Sequence, residues 1–299
     1  MTEVHDQATI DSTPGSRSRL GAYIALTKPR IIELLLITTV PSMVMAAGRW
    51  PGTWLVAATL VGGSLSAGGA NALNMYYDRD IDEVMRRTRG RPLARHEVPP
   101  RNALVFGVVL GVAGFAWLWV FTTLVAAAIS TAALLFYVFV YTMRLKRATV
   151  QNIVIGGAAG AAPALVGWAA VTGSVGVPAW VLFIIVFYWT PPHFWALALR
   201  YKDDYAAAGV PMLPVVAGVE ATTRRMLLYT GLMVGVSLLL VPLGGMGWVY
   251  LVAALVLGGW FLWDTWRVVQ RPEQAMRLFT TSTIYLSALF ASVMLDVLL

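Results

Sequence analysis

The sequence predicts an all-α polytopic membrane protein, a bundle of nine transmembrane helices, and three observations carry that expectation. Of the 299 residues, 58% are hydrophobic and 12% are charged, about half the charge of an average soluble chain. Apolar runs recur at close to the roughly 20 residues that cross a bilayer. All but Arg49 of the 22 Lys and Arg residues fall in the amino-terminal tail or in the loops after helices 2, 4, 6 and 8. Basic residues mark cytoplasmic loops, so the N-terminus is expected in the cytoplasm and, after nine crossings, the C-terminus outside. A soluble globular enzyme is excluded.

Residues 1–20 are polar, without an apolar face, and read as a disordered cytoplasmic tail. Residues 21–299 read as one domain, because no linker or second composition interrupts them. The expected helices cover about 31–48, 54–76, 103–121, 124–143, 152–171, 179–200, 226–243, 247–265 and 279–298. The first follows Lys28-Pro29-Arg30 and ends at Ala46-Ala47-Gly48. The second runs into a strongly polar end. Helices 3 and 4 are joined externally by only Phe121-Thr122-Thr123. Gln151 and Asn152 open helix 5, as caps or as cavity lining, and Gly156 with Gly160 forms its small-residue packing pair. Helix 6 contains Pro191-Pro192-His193. Gly244-Gly245-Met246 joins helices 7 and 8, and Asp264 near the end of helix 8 is expected to pair with Arg267. Asp296 sits at the external end of helix 9 and needs no functional explanation. Two long cytoplasmic loops, about 77–102 and 201–225, hold most of the unusual polar chemistry.

The chain has no Cys, which excludes a disulfide framework, a thiolate metal site, an Fe–S cluster and a cysteine nucleophile. Its net charge of +7 is mainly a topology signal. Anionic lipid and anionic substrate are secondary readings, and no nucleic-acid partner is expected.

The decisive stretch is Asn71-Ala72-Leu73-Asn74-Met75-Tyr76-Tyr77-Asp78-Arg79-Asp80-Ile81-Asp82. At about 100° per residue, Asn74, Asp78 and Asp82 share one helix face, Asn71 joins it from the preceding turn, and Asp80 points away. Carboxylates near a membrane are costly unless paired or wet. Mg²⁺ takes carboxylate, amide and phosphate oxygens, so the face suits a metal–diphosphate site. Arg86-Arg87-Thr88-Arg89-Gly90-Arg91-Pro92-Leu93 follows at once, with forked donors that can wrap an anion. Acids that bridge a divalent metal, followed by arginines on the remaining phosphate charge, would stabilise a departing diphosphate. The plainer alternatives are a solvated helix end paired to Arg79 and Arg86, and arginines that only set topology.

Asn74-x-x-x-Asp78-x-x-x-Asp82 followed by Arg87-Thr88-x-x-Arg91-Pro92-Leu93 resembles the first aspartate-rich motif of the intramembrane aromatic prenyltransferases. Four strings are similar to the protoheme IX farnesyltransferase (heme O synthase) branch. They are Leu26-Thr27-Lys28-Pro29-Arg30-Ile31, Asn71 one turn before the motif, Pro191-Pro192-His193-Phe194-Trp195-Ala196-Leu197-Ala198, and Tyr201-Lys202-Asp203-Asp204-Tyr205 running to Gly209-Val210-Pro211-Met212-Leu213-Pro214. The resemblance covers roughly residues 20–299.

It implies a central cavity open to the cytoplasmic side of a bacterial-type cell membrane. It also implies transfer of farnesyl from farnesyl diphosphate to the 2-vinyl group of heme B with addition of water, giving heme O. Mg²⁺ is the implied cofactor, and a downstream heme A-forming enzyme is an implied partner. The implied catalytic residues are Asn71, Arg87, Arg91 and His193. Arg87, Arg91 and Lys202 would bind the diphosphate, His193 the heme, and Asn74, Asp78, Asp82 and Asp204 the metal. Quinone-type members carry a second Asp-x-x-x-Asp motif where this chain has Tyr201 and Tyr205. Asp204 is the preferred substitute ligand, because a helix continuing from His193 would place both on one face. Neutral His193 imidazole would serve as an axial iron ligand or as a base for the attacking water. Its alternative is to cap carbonyls freed by the two prolines. Prenylation of a quinone precursor and transport of an organic anion are the competing functions.

Overall fold

The computed structural model describes residues 17–299, with the side chains of residues 30, 31 and 33–36 left out. Its helices are α1 (Arg19–Thr27), α2 (Pro29–Ala47), α3 (Thr53–Val84), α4 (Pro100–Phe121), α5 (Leu124–Leu135), α6 (Lys146–Ala148), α7 (Asn152–Thr172), α8 (Val177–Arg200), α9 (Lys202–Ala207), α10 (Leu213–Val216), α11 (Gly218–Gly244), α12 (Trp248–Gln270) and α13 (Ala275–Leu298). A π-helical stretch, Phe136–Leu145, makes α5 and α6 one continuous rod. Among the described residues there is no strand.

Among the described residues, seven helices are long and apolar enough to cross a membrane, namely α4, the α5–α6 rod, α7, α8, α11, α12 and the rod ending in α13. They coincide with seven of the nine expected spans. Of the other two, α2 contributes a shorter apolar piece, Ile37–Ala47. The second, α3, is a single long helix diluted by Gly, Ser, Ala and Asn. That dilution has a packing cause. A Cβ on Gly69 would lie 2.7 Å from Gly107 O, and one on Gly114 would lie 2.7 Å from Ser66 N. The α3 and α4 backbones therefore meet directly, as small residues permit. The expected Gly156/Gly160 pair does not act this way. Gly160 faces open space and Gly156 faces the Tyr141 ring, while Gly167 provides the close approach of α7 to Thr39 O.

Helix ends show what the apolar pattern leaves out. Of the expected tail, residues 1–16 lie outside the described residues. Ser18 Oγ accepts from Gly21 N at 3.1 Å and caps α1, and Arg17 donates to Glu97 and Gly90 O in the loop after α3. At the other end of the chain, Asp296 accepts from Gly247 N and Tyr250 N, satisfying orphan donors at the start of α12. Asp264 does not pair with Arg267. Its salt bridge is to Arg277 at 3.6 Å, because α13 packs beside α12 there.

Candidate active site

α3 continues past the expected end at residue 76 to Val84, so Asn74, Asp78 and Asp82 recur at four-residue spacing along one face. All three are buried, Asp78 completely, whereas the Asp80 side chain is 60% exposed. Bare buried carboxylates are costly, and the chain brings cations and amides to them. Asn74 Nδ2 donates to Asp78 Oδ2 at 2.7 Å and to Thr142 Oγ1 at 3.1 Å. Lys28 Nζ donates to Asn74 Oδ1 at 2.8 Å, and Lys146 Nζ to Asp78 Oδ2 at 2.5 Å. Arg91 Nη1 lies 2.8 Å from both oxygens of Asp82. On the outer face Arg147 grips both Asp80 oxygens, and its hydrogen bonds hold that carboxyl down at about 2.

Lys28, Thr142 and Lys146 carry no role in the sequence reading, and each arrives through an irregular piece of backbone. Lys28 forms the corner between α1 and α2 with φ of 53°, a left-handed conformation that costs a non-glycine residue of order 1 kcal/mol or more. Burial, reinforced by Arg91, pushes its ammonium pKa down. Asn71 holds the corner in place, since its Nδ2 donates to Thr27 O at 2.9 Å. Thr142 and Lys146 sit on the π-helical stretch and just after it, where Thr142 Oγ1 reaches Tyr137 O five residues back. π-Helical turns cluster at functional sites. The only sequence signals were a Lys before a helix-opening Pro and a second Lys at a basic helix end. Asn152 lies behind Lys146, with Nδ2 donating to Lys146 O and Oδ1 unpartnered. It therefore does not cap α7 through its side chain.

The two long loops meet. Arg87 N donates to Asp204 Oδ2 at 3.0 Å, and Arg87 Nη2 donates to Tyr205 Oη at 3.2 Å. The guanidinium also lies 5.8 Å from the ring centroids of Tyr201 and Tyr205, within cation–π range. Tyr201 and Tyr205 thus hold Arg87. The shared-face argument linking His193 to Asp204 fails, because α8 stops at Arg200 and Tyr201 separates it from α9. Asp204 accepts from the Arg87 amide. Lys202 opens α9.

His193 belongs to a different environment. It is 6% exposed and stacked between Trp189 at 4.2 Å and Phe279 at 4.3 Å. Its Nδ1 lies 2.7 Å from Ser282 Oγ on α13. It therefore does not cap the carbonyls that Pro191 and Pro192 leave free.

Among the described residues, no three His, Asp or Glu side chains converge as a ready metal site. Asp78 Oδ1 is nevertheless buried without a hydrogen bond, with only Arg147 Nη2 at 3.9 Å. A buried, unengaged carboxylate oxygen is the donor chemistry of a hard divalent cation, and the Asn74 amide oxygen would join it once released by Lys28, so these residues fit one.

A family model described as the UbiA prenyltransferase family matches residues 35–289. The protoheme IX farnesyltransferase of Clavibacter michiganensis subsp. michiganensis (strain NCPPB 382) is 54% identical over 299 residues, covering 98% of each chain. Among solved structures, one concerned with digeranylgeranylglyceryl phosphate synthase in membranes has a TM-score of 0.77 at 18% identity, covering 93% of this chain and 98% of that one. A UbiA homolog from Archaeoglobus fulgidus bound to DMAPP and Mg²⁺ has a TM-score of 0.64 at 15% identity, covering 91% and 99%. The chain belongs to the UbiA prenyltransferase family.

Proposed function

We propose that this integral membrane enzyme transfers farnesyl from farnesyl diphosphate to heme B and adds water, giving heme O and diphosphate. The observation that carries the reading is the buried Asn74–Asp78–Asp82 face with Lys28, Lys146 and Arg91 resting on it. The curated relative named for the same transfer supports it.

In this reading α2 and α3 join the seven apolar helices as nine crossings around a cavity open to the cytoplasm, in a bacterial-type cell membrane. Residues 21–299 form the prenyltransferase domain, and 1–20 a cytoplasmic tail. The N-terminus lies in the cytoplasm and the C-terminus outside. Asn74, Asp78 and Asp82 would hold Mg²⁺, with Asp204 further out beside Arg87. When bound, the ion supplies Lewis-acid stabilisation of the leaving diphosphate.

The chain's own groups do the rest. Lys146 and Arg91 exchange their carboxylates for phosphate oxygens, and Arg87, Lys28 and Lys202 add donors around the leaving group. Asn71 positions Lys28 through the Thr27 carbonyl. The C–O bond breaks with its electron pair on diphosphate, and the apolar interior keeps bulk water from the allylic cation. The heme vinyl π electrons form the new C–C bond, water adds to the resulting ring-adjacent cation, and one proton leaves. His193 meets the porphyrin as iron ligand or as the base taking that proton. A heme A-forming enzyme would consume the product.

The test is to add farnesyl diphosphate, Mg²⁺ and heme B to membranes containing the chain and to separate the hemes by hydrophobicity. Metal-dependent heme O is the expected product. Prenylation of a quinone precursor in its place would overturn the acceptor, and uptake without diphosphate release would overturn the enzyme class.

A further inference from the structure

His193 is held more tightly than burial alone requires. Trp189 and Phe279 cover its two faces at interplanar angles of 21° and 25°. Trp189 is itself tied to the opposite helix, since its Nε1 donates to Ser282 O at 2.8 Å. The same residue's hydroxyl meets His193 Nδ1 at 2.7 Å and Phe279 O at 2.7 Å. One α13 residue thus fixes both the imidazole and the indole stacked upon it.

The proton count at this hydroxyl is decisive. Ser282 has one hydrogen, a carbonyl oxygen can only accept, and the imidazole can donate or accept. Pointing the hydroxyl hydrogen at Nδ1 would leave two oxygens facing each other at 2.7 Å with no proton between them. Pointing it at Phe279 O satisfies that carbonyl and leaves Oγ to accept from Nδ1–H. The second arrangement makes both hydrogen bonds. It also makes Nε2 the nitrogen without a proton, because the other partner of the imidazole, the Phe279 carbonyl, accepts a ring N–H on the side of Ser282 Oγ, which lies 2.7 Å from both Nδ1 and that carbonyl.

We infer that Ser282 is a positioning residue which locks His193 in the Nδ1-protonated tautomer and presents an unprotonated Nε2 to the heme. The functional half of this inference rests on the proposed meeting of His193 with the porphyrin. A bare Nε2 serves either version of that role, because ligation of iron and removal of a proton from water both need the lone pair. Partners of this kind set which imidazole nitrogen is available, and their removal typically costs about 10- to 100-fold.

The full-length enzyme would be labelled with [15N]histidine in lipid nanodiscs and its imidazole nitrogens read by NMR. The His193 signals are assigned by their loss in His193→Gln. The wild type should show a protonated Nδ1 and a bare Nε2. Ser282→Ala should lose that pattern and about 10- to 100-fold in heme O turnover, with farnesyl diphosphate binding unchanged. Ser282→Thr, which keeps the hydroxyl, should restore both. A wild-type Nε2–H signal overturns the assignment, as does a Ser282→Ala protein that keeps the wild-type tautomer and turnover. Should the tautomer stand while His193→Ala still makes heme O at the wild-type rate, the heme-facing role of His193 is overturned and the hydrogen-bond assignment survives.

Discussion

The end of α3 and the α8–α13 contact both bury polar side chains, but they satisfy them in opposite ways. At the end of α3 each buried carboxylate carries its own cation, with Lys146 on Asp78 and Arg91 on Asp82. At the α8–α13 contact a single imidazole ring is clamped by two aromatics and one hydroxyl. Ion pairs between flexible side chains can change partner when a more highly charged ligand arrives, whereas a stacked and hydrogen-bonded ring cannot easily turn. In the proposed reading, the first region suits a ligand that comes and goes with its charge. The second suits a group that must be correctly aimed beforehand.

The largest effect should come from the buried acids. Asp78→Ala or Asp82→Ala is expected to reduce initial rates of heme O formation by at least ~100-fold, while Asp80→Ala, on the exposed face, stays within about a few-fold. Equal loss at all three positions would break the one-face account. Lys146→Met should come next, because removing one partner of a buried pair costs about 3–5 kcal/mol. Lower thermal stability without ligand, partly recovered with Mg²⁺ and farnesyl diphosphate, is the expected pattern in a melting assay. Arg91→Lys keeps the charge and loses the forked donor. Unchanged topology in reporter fusions with turnover reduced about 10-fold is expected, and full activity would leave this arginine only an orientation signal. The smallest change should be Asp204→Asn, which keeps an acceptor for the Arg87 amide. A few-fold loss of turnover fits the observed contact, and complete loss would restore Asp204 as a metal ligand.

The site was partly legible in the sequence. The Asn74, Asp78 and Asp82 face follows from helical periodicity alone, and the apolar runs locate seven membrane helices. What covers the acids was not legible, because Lys28 is 46 residues from Asn74 and Lys146 is 68 from Asp78. Such contacts depend on how helices pack. Short elements such as α1 and α9 are too brief to show a convincing apolar period. The break at Tyr201 carries no Pro or Gly to announce it, and the continuation of the helix past Arg200, on which the shared face of His193 and Asp204 depended, does not occur. His193 stood out as an ionisable group in an apolar helix. Its partner Ser282 is one of several hydroxyls on α13, and only the packing of α13 against α8 distinguishes it.

The division of labour is tested most directly by His193→Ala, with two readings taken on the same well-folded protein. The account predicts that Mg²⁺-dependent binding of farnesyl diphosphate stays close to wild type while heme O formation is abolished. Wild-type yield of heme O, or loss of diphosphate binding alongside heme O formation, would contradict the separation of the two regions.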